Sequence, residues 1–132
     1  MSSRAIRSFD VVTADAYLDL ANELALSSDT ASRRSAVDRA YYAAFLAVRD
    51  GLADKHYISA VENSQAHTQV ANALKHISED ASERLIALRR ARNRLTYQTE
   101  RIYLPRRQSL QSLLESARAV IEAVRALPQS SP

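Results

Sequence analysis

The chain has one glycine, three prolines and no cysteine in 132 residues. Each scarcity excludes something. β-Sandwiches and β-barrels need many tight turns, and turns draw on Gly, Pro, Asn and Asp. Rossmann-type and P-loop nucleotide sites need several glycines in one loop, so a single glycine excludes both. Without cysteine there is no disulfide scaffold, thiolate zinc site, iron–sulfur cluster or cysteine nucleophile. No window approaches the roughly 18 apolar residues of a membrane span, and no long apolar run follows Arg4 and Arg7 as in a signal peptide. The expected compartment is the cytoplasm, and no metal or cofactor is expected. What is left is an all-α domain whose chemistry falls to Arg, His, Asp, Glu, Ser and Tyr.

What is present is helical periodicity. Residues 1–12 read as a leader and 128–132 as a tail, with one domain over 13–127. Thr13 is placed to cap a first helix, about 14–27, with Asp15 at the positive end of its dipole. Tyr17, Leu20, Ala21 and Leu24 share one face of it. Ser27-Ser28-Asp29-Thr30 is a loop with cap residues for a second helix, about 31–50. Val37, Tyr41, Ala44, Phe45, Val48 and Leu52 mark that helix's buried stripe, and Ala40, Ala43 and Ala47 allow close approach. Gly51 reads as its left-handed closing residue. A third helix is expected over about 65–77. Ser78 then caps a fourth, about 79–97, with Glu79 and Asp80 in its first turn. Pro105 fits the first turn of a fifth, where Leu110, Leu113, Leu114, Ala117, Val120, Ile121, Val124 and Leu127 recur at helical spacing. The expected fold is an up-and-down bundle of four to five helices.

Charge is unevenly spread. The chain holds 16 Arg against two Lys and has a net charge of +3. Residues 84–107 contain eight Arg and one acid, Glu100, which makes that segment +7 and leaves −4 for the rest. A basic stripe on an acidic body is the footprint of a polyanion site, or else a solvated face beside a helix C-terminus. Arg89, Arg90, Arg94, Arg101, Arg106 and Arg107 are the candidate nucleic-acid contacts. On the fourth helix Ala81, Leu85, Leu88 and Leu95 share an arc, and Arg92 projects into its middle. Such a charge must face a cavity or pair with a carboxylate from another helix, such as Asp38. Tyr41 lies on a core stripe. Tyr42 is turned about 100° away, where it is placed to line a groove and stack a base. His67 and His76 are not spaced i, i+4, so no two-histidine metal clamp is indicated, and each reads as a structural or surface residue.

Two segments carry a resemblance. Ala40-Tyr41-Tyr42-Ala43-Ala44-Phe45 resembles the Ala-Tyr-Tyr-Ala-x-Phe signature of HEPN domains (higher eukaryotes and prokaryotes nucleotide-binding). Leu88-Arg89-Arg90-Ala91-Arg92-Asn93-Arg94-Leu95-Thr96-Tyr97 is similar to that family's Arg-Asn-x-x-x-(His/Tyr) segment. The two occur in the family's order across about residues 13–127. The resemblance implies a helical bundle that pairs as a homodimer. It also implies a metal-independent ribonuclease of toxin–antitoxin or phage-defence type, with motif residues of two protomers meeting at the dimer cleft. Carried onto this sequence, the catalytic set is Arg92, Asn93 and Tyr97. The departure is Tyr97, which stands where many members have His. An unperturbed Tyr has a pKa of about 10 against about 6.5 for His, a poor proton shuttle at neutral pH. Thr99 stands where members modified by a partner nucleotidyltransferase carry Tyr. The sequence therefore supports an RNA-acting protein, a non-catalytic dimerising adapter of a nucleotidyltransferase or other effector that binds RNA or a nucleotide, or a plain helical interaction domain.

Overall fold

The computed structural model describes residues 13–59, 65–96 and 109–129. They form five α-helices and, among the described residues, no strand: α1 (Ala14–Ala25), α2 (Thr30–Asp54), α3 (Ala66–Lys75), α4 (Glu79–Thr96) and α5 (Leu110–Arg125). The all-α bundle expected from the glycine and proline scarcity is what the chain builds. The leader over 1–12, Pro105, and the candidate residues Tyr97, Arg101, Arg106 and Arg107 lie outside the described residues. No helix among the described residues is long and apolar enough to cross a membrane.

The starts of the helices are set by local chemistry. An orphan N–H in the first turn needs an acceptor, and short polar side chains supply it. Thr13 accepts from Ala16 N at 3.1 Å, Asp29 from Ser32 N at 3.1 Å, and Ser78 from Ala81 N at 3.2 Å. At α5, Ser109 accepts from Ser112 N at 3.0 Å and Ser112 accepts from Ser109 N at 2.8 Å, a reciprocal capping box. The described fifth helix therefore starts at Leu110.

α2 is the axis of the core and packs against all four other helices. Ala36, Ala40, Ala43 and Ala44 are fully buried, so neighbouring backbones approach closely, while Val37, Tyr41, Phe45, Val48 and Leu52 fill the space between them. The short turn from α1 to α2 makes a helical hairpin, closed by Arg33 donating to Ala25 O at 3.4 Å. Ser82, buried on α4, donates to Ala71 O at 2.9 Å and fixes α4 against α3.

Gly51 does not close α2. The helix continues to Asp54, and no glycine has a positive φ. The left-handed residue is His56, with φ of 65°. Around it Tyr57 N reaches Leu52 O at 2.8 Å and His56 N reaches Ala53 O at 3.1 Å, which is the Schellman pattern. Gly51 is instead a contact residue. A Cβ there would lie 2.5 Å from Val124 Cγ1 on α5. The glycine is required by helix packing rather than by a turn. Lys55, just beyond α2, donates to the carbonyls of Val124 and Arg125 at 2.9 Å each and to that of Leu127. A cation on the exposed carbonyls of a helix end is the favoured arrangement, so the end of α2 anchors the end of α5.

Candidate functional site

α4 carries a buried stripe of Ala81, Ser82, Leu85, Leu88, Ala91 and Leu95. Arg92 falls within that stripe by helical spacing, four residues from Leu88 and three from Leu95, but is half-buried where the other residues of the stripe are buried. Its aliphatic stem covers apolar surface while its head stays near water, the usual compromise for a long cation. The guanidinium stands 4.8 Å from the centroid of the Tyr41 ring, within cation–π range. Asn93 Oδ1 accepts from Arg92 Nη2 at 3.0 Å and Nε at 3.3 Å. Asn93 thus holds the arginine fork in place. Arg92 also borders a cavity of about 310 Å³ with Arg34, Ser35 and Asp38. The carboxylate of Asp38 pairs with Arg39 at 2.7 Å.

Beneath Arg92 lies a pair that sequence reasoning did not join. The Tyr41 hydroxyl hydrogen-bonds His67 Nδ1 from α3. The His67 ring stacks on Phe45 with centroids 4.4 Å apart. Tyr41 is 1% exposed. Beside this pair opens a cavity of about 290 Å³ between α2, α3 and α4. Its polar wall comes from His67, Thr68 and Asn72 on α3 and from Arg89, Arg90 and Asn93 on α4. Its apolar floor is Ala71, Leu85 and Ile86. Among the described residues no carboxylate lines it. Arg89 Nε is buried with no hydrogen-bond partner among the described residues, and so is Arg94 Nη1. Buried donors of this kind are uncommon and costly, since desolvation is not offset by a bond.

The electrostatics keep both members of the pair uncharged. Burial pushes the Tyr41 phenol up to about 12, against the opposing pull of Arg89 and Arg92. Burial lowers the His67 pKa below its ordinary 6.5, and the positive charges of Arg89 and Arg92 push the same way. At neutral pH the site is a neutral Tyr–His pair roofed by fixed cations.

Of the sequence-predicted residues, the fold brings Arg89, Arg90 and Asn93 to one cavity, and Arg92 to its edge. Arg94 is half-buried on the same helix. Tyr42 is elsewhere. Its ring meets Tyr17 edge-on at 5.1 Å and stacks on Phe45 at 6.1 Å, so Tyr41 is the tyrosine that faces the cavity. Arg84, counted in the basic segment, is engaged by Asp80 at 3.0 Å and Ser116 at 3.2 Å. His67, read as a structural or surface residue, is held by Tyr41 and Phe45 as a structural residue is, and it also lines the cavity. The signal for it was weak: a lone His on an apolar face near the start of α3, with its partner 26 residues away. No family model, curated protein or solved structure matches the chain.

Proposed function

We propose that the chain is an HEPN-like, RNA-acting protein of a bacterial or archaeal toxin–antitoxin or defence-type system, working as a homodimer. One observation carries the reading: α4 presents Arg89 and Arg90 to a cavity that no carboxylate among the described residues lines, Arg92 stands over the Tyr41 ring beside it, and Arg89 Nε is buried with no hydrogen-bond partner among the described residues. Such an array attracts phosphate, because guanidinium forks match its oxygens and no acid competes. Cleavage of RNA through its 2′-hydroxyl would need a base, an acid and a cation on the developing phosphorane charge. Arg92, braced by Asn93, supplies the cation. Tyr97 stands at the position of the family's histidine. His67, neutral at pH 7, is the imidazole bonded to Tyr41 beneath Arg92 and within the field of Arg89 and Arg92.

The second reading, a non-catalytic adapter beside a nucleotidyltransferase or other effector, gains from the Tyr41–His67 bond. With Nδ1 occupied by Tyr41, the imidazole has no free lone pair with which to accept a proton. Metal-free incubation of the purified chain with single-stranded RNA separates the two. The enzyme reading expects cleavage that Arg92→Ala abolishes, with the helical circular-dichroism signal intact. RNA that is bound but never cut selects the adapter.

A further inference from the structure

We infer that the cavity between α2, α3 and α4 is a receptor for a terminal phosphate, a phosphomonoester, which His67 enters as a hydrogen-bond donor through Nε2 with Tyr41 as its positioning residue. The inference rests on the RNA reading for the kind of molecule that carries the phosphate.

The tautomer follows from satisfaction of buried groups. Tyr41 is almost wholly buried, so its hydroxyl proton must be given to an acceptor. The acceptor the fold supplies is His67 Nδ1. A neutral imidazole carries one proton, and with Nδ1 accepting, that proton is on Nε2. The cavity then offers donors from Nε2–H of His67, the guanidiniums of Arg89 and Arg90, and the amide of Asn93, while Thr68 and Asn72 can each donate or accept. The carbonyl end of the Asn93 amide is already spent on Arg92. Donors with two fixed positive charges, and no acid among the described residues, select an anion with several acceptor oxygens.

Size and charge choose a monoester over the phosphodiester of a passing strand. About 290 Å³ is at the lower end of small-ligand sites, room for one phosphate and part of its sugar or base. A monoester carries close to two negative charges at pH 7 and one covalent link. A diester carries one charge and must leave the cavity at both ends. Arg89 Nε is buried with no hydrogen-bond partner among the described residues, so an added acceptor would offset a desolvation the fold has already suffered. Ala71, Leu85 and Ile86 offer the attached group an apolar surface.

The test is ¹⁵N NMR of the imidazoles in the full chain, titrated with inorganic phosphate, with a 5′-mononucleotide, and with one short RNA bearing either a terminal phosphate or hydroxyls at both ends. His67 should start as the Nε2–H tautomer, and its Nε2 signal should move with phosphate and with the mononucleotide. A tenfold preference for phosphate-ended over hydroxyl-ended RNA identifies an RNA end as the source. Mononucleotide binding without that preference identifies a free nucleotide. Tyr41→Phe should shift the proton toward Nδ1 and weaken phosphate binding about tenfold, and Arg89→Gln should weaken it at least as much while leaving the tautomer alone. A role for Tyr41 in packing alone would leave the tautomer unchanged. The inference is overturned if phosphate and mononucleotide leave His67 unmoved, or if Tyr41→Phe alters neither tautomer nor affinity. Loss of all RNA binding with the phosphate response intact would overturn the RNA reading instead.

Discussion

Burial acts in opposite directions on the pKa values of Tyr41 and His67, and with the same result. It raises the acid and lowers the base, so both stay neutral under two arginines. For Tyr41 the two effects compete, and burial wins despite the cations. For His67 they add. This has a consequence for stability. Above about pH 6.5 His67 is neutral in both the folded and the unfolded chain. Below it the unfolded chain takes up a proton that the folded chain resists. His67 therefore makes the fold less stable as pH falls from its unfolded value to its lowered folded one. Urea unfolding at pH 7.5 and pH 5.5 should show a drop in stability that shrinks in His67→Gln. An equal drop in both chains would mean that His67 is not the group responsible. Arg92 was legible from spacing alone, because an arginine near an apolar helical stripe violates its pattern. His67 was not, because nothing local marks a histidine whose partner arrives from another helix.

At the scale of the helix, what local chemistry decides was legible and what neighbours decide was not. Thr13 and Ser78 cap because the donors they satisfy are within three residues. Gly51 is the opposite case. In sequence it stands where the apolar pattern of α2 thins, which is where a left-handed residue belongs. Its actual role is set by Val124, far along the chain on α5. The two roles predict opposite outcomes for Gly51→Ala. A helical glycine with open space around it would gain roughly 0.5–1 kcal/mol from alanine's better propensity. Here the new methyl would sit 2.5 Å from Val124 Cγ1, and valine is stiff about χ1 and buried. Overpacking of this kind costs about 1–3 kcal/mol, so the substitution should destabilise on balance. Val124→Ala makes room for that methyl, so Gly51→Ala should cost less in its presence than in the parent chain. A double-mutant cycle by denaturant unfolding reads the coupling directly. Additive losses would place the strain elsewhere.

Across the whole molecule, charge and fold divide the labour. The helical bundle was legible because periodicity and the scarcity of turn residues both point to it, and each is a property of the chain as a whole. The basic segment was legible as a total but not as a surface. Arg84 proves to be tied to Asp80 and Ser116, and the arginines that converge on the cavity are Arg89, Arg90 and, at its rim, Arg92. On the RNA reading, a net-acidic remainder would favour encounter along the basic face over the rest of the surface. The number of arginines in contact can be counted from outside. Each phosphate neutralised on a single strand releases counterions and steepens the fall of log K with log salt by about 0.7. If Arg89 and Arg90 share the one phosphate of the cavity and Arg92 and Arg94 each meet one more, the slope for a short single-stranded RNA should be about −2. Arg90→Ala, at the exposed edge of the cavity, should flatten it by no more than about 0.7 without disturbing the fold, and Arg84→Ala should leave it unchanged. A flat salt response in the parent chain would remove RNA from the reading, because no arrangement of these arginines can hold a strand without displacing its ions.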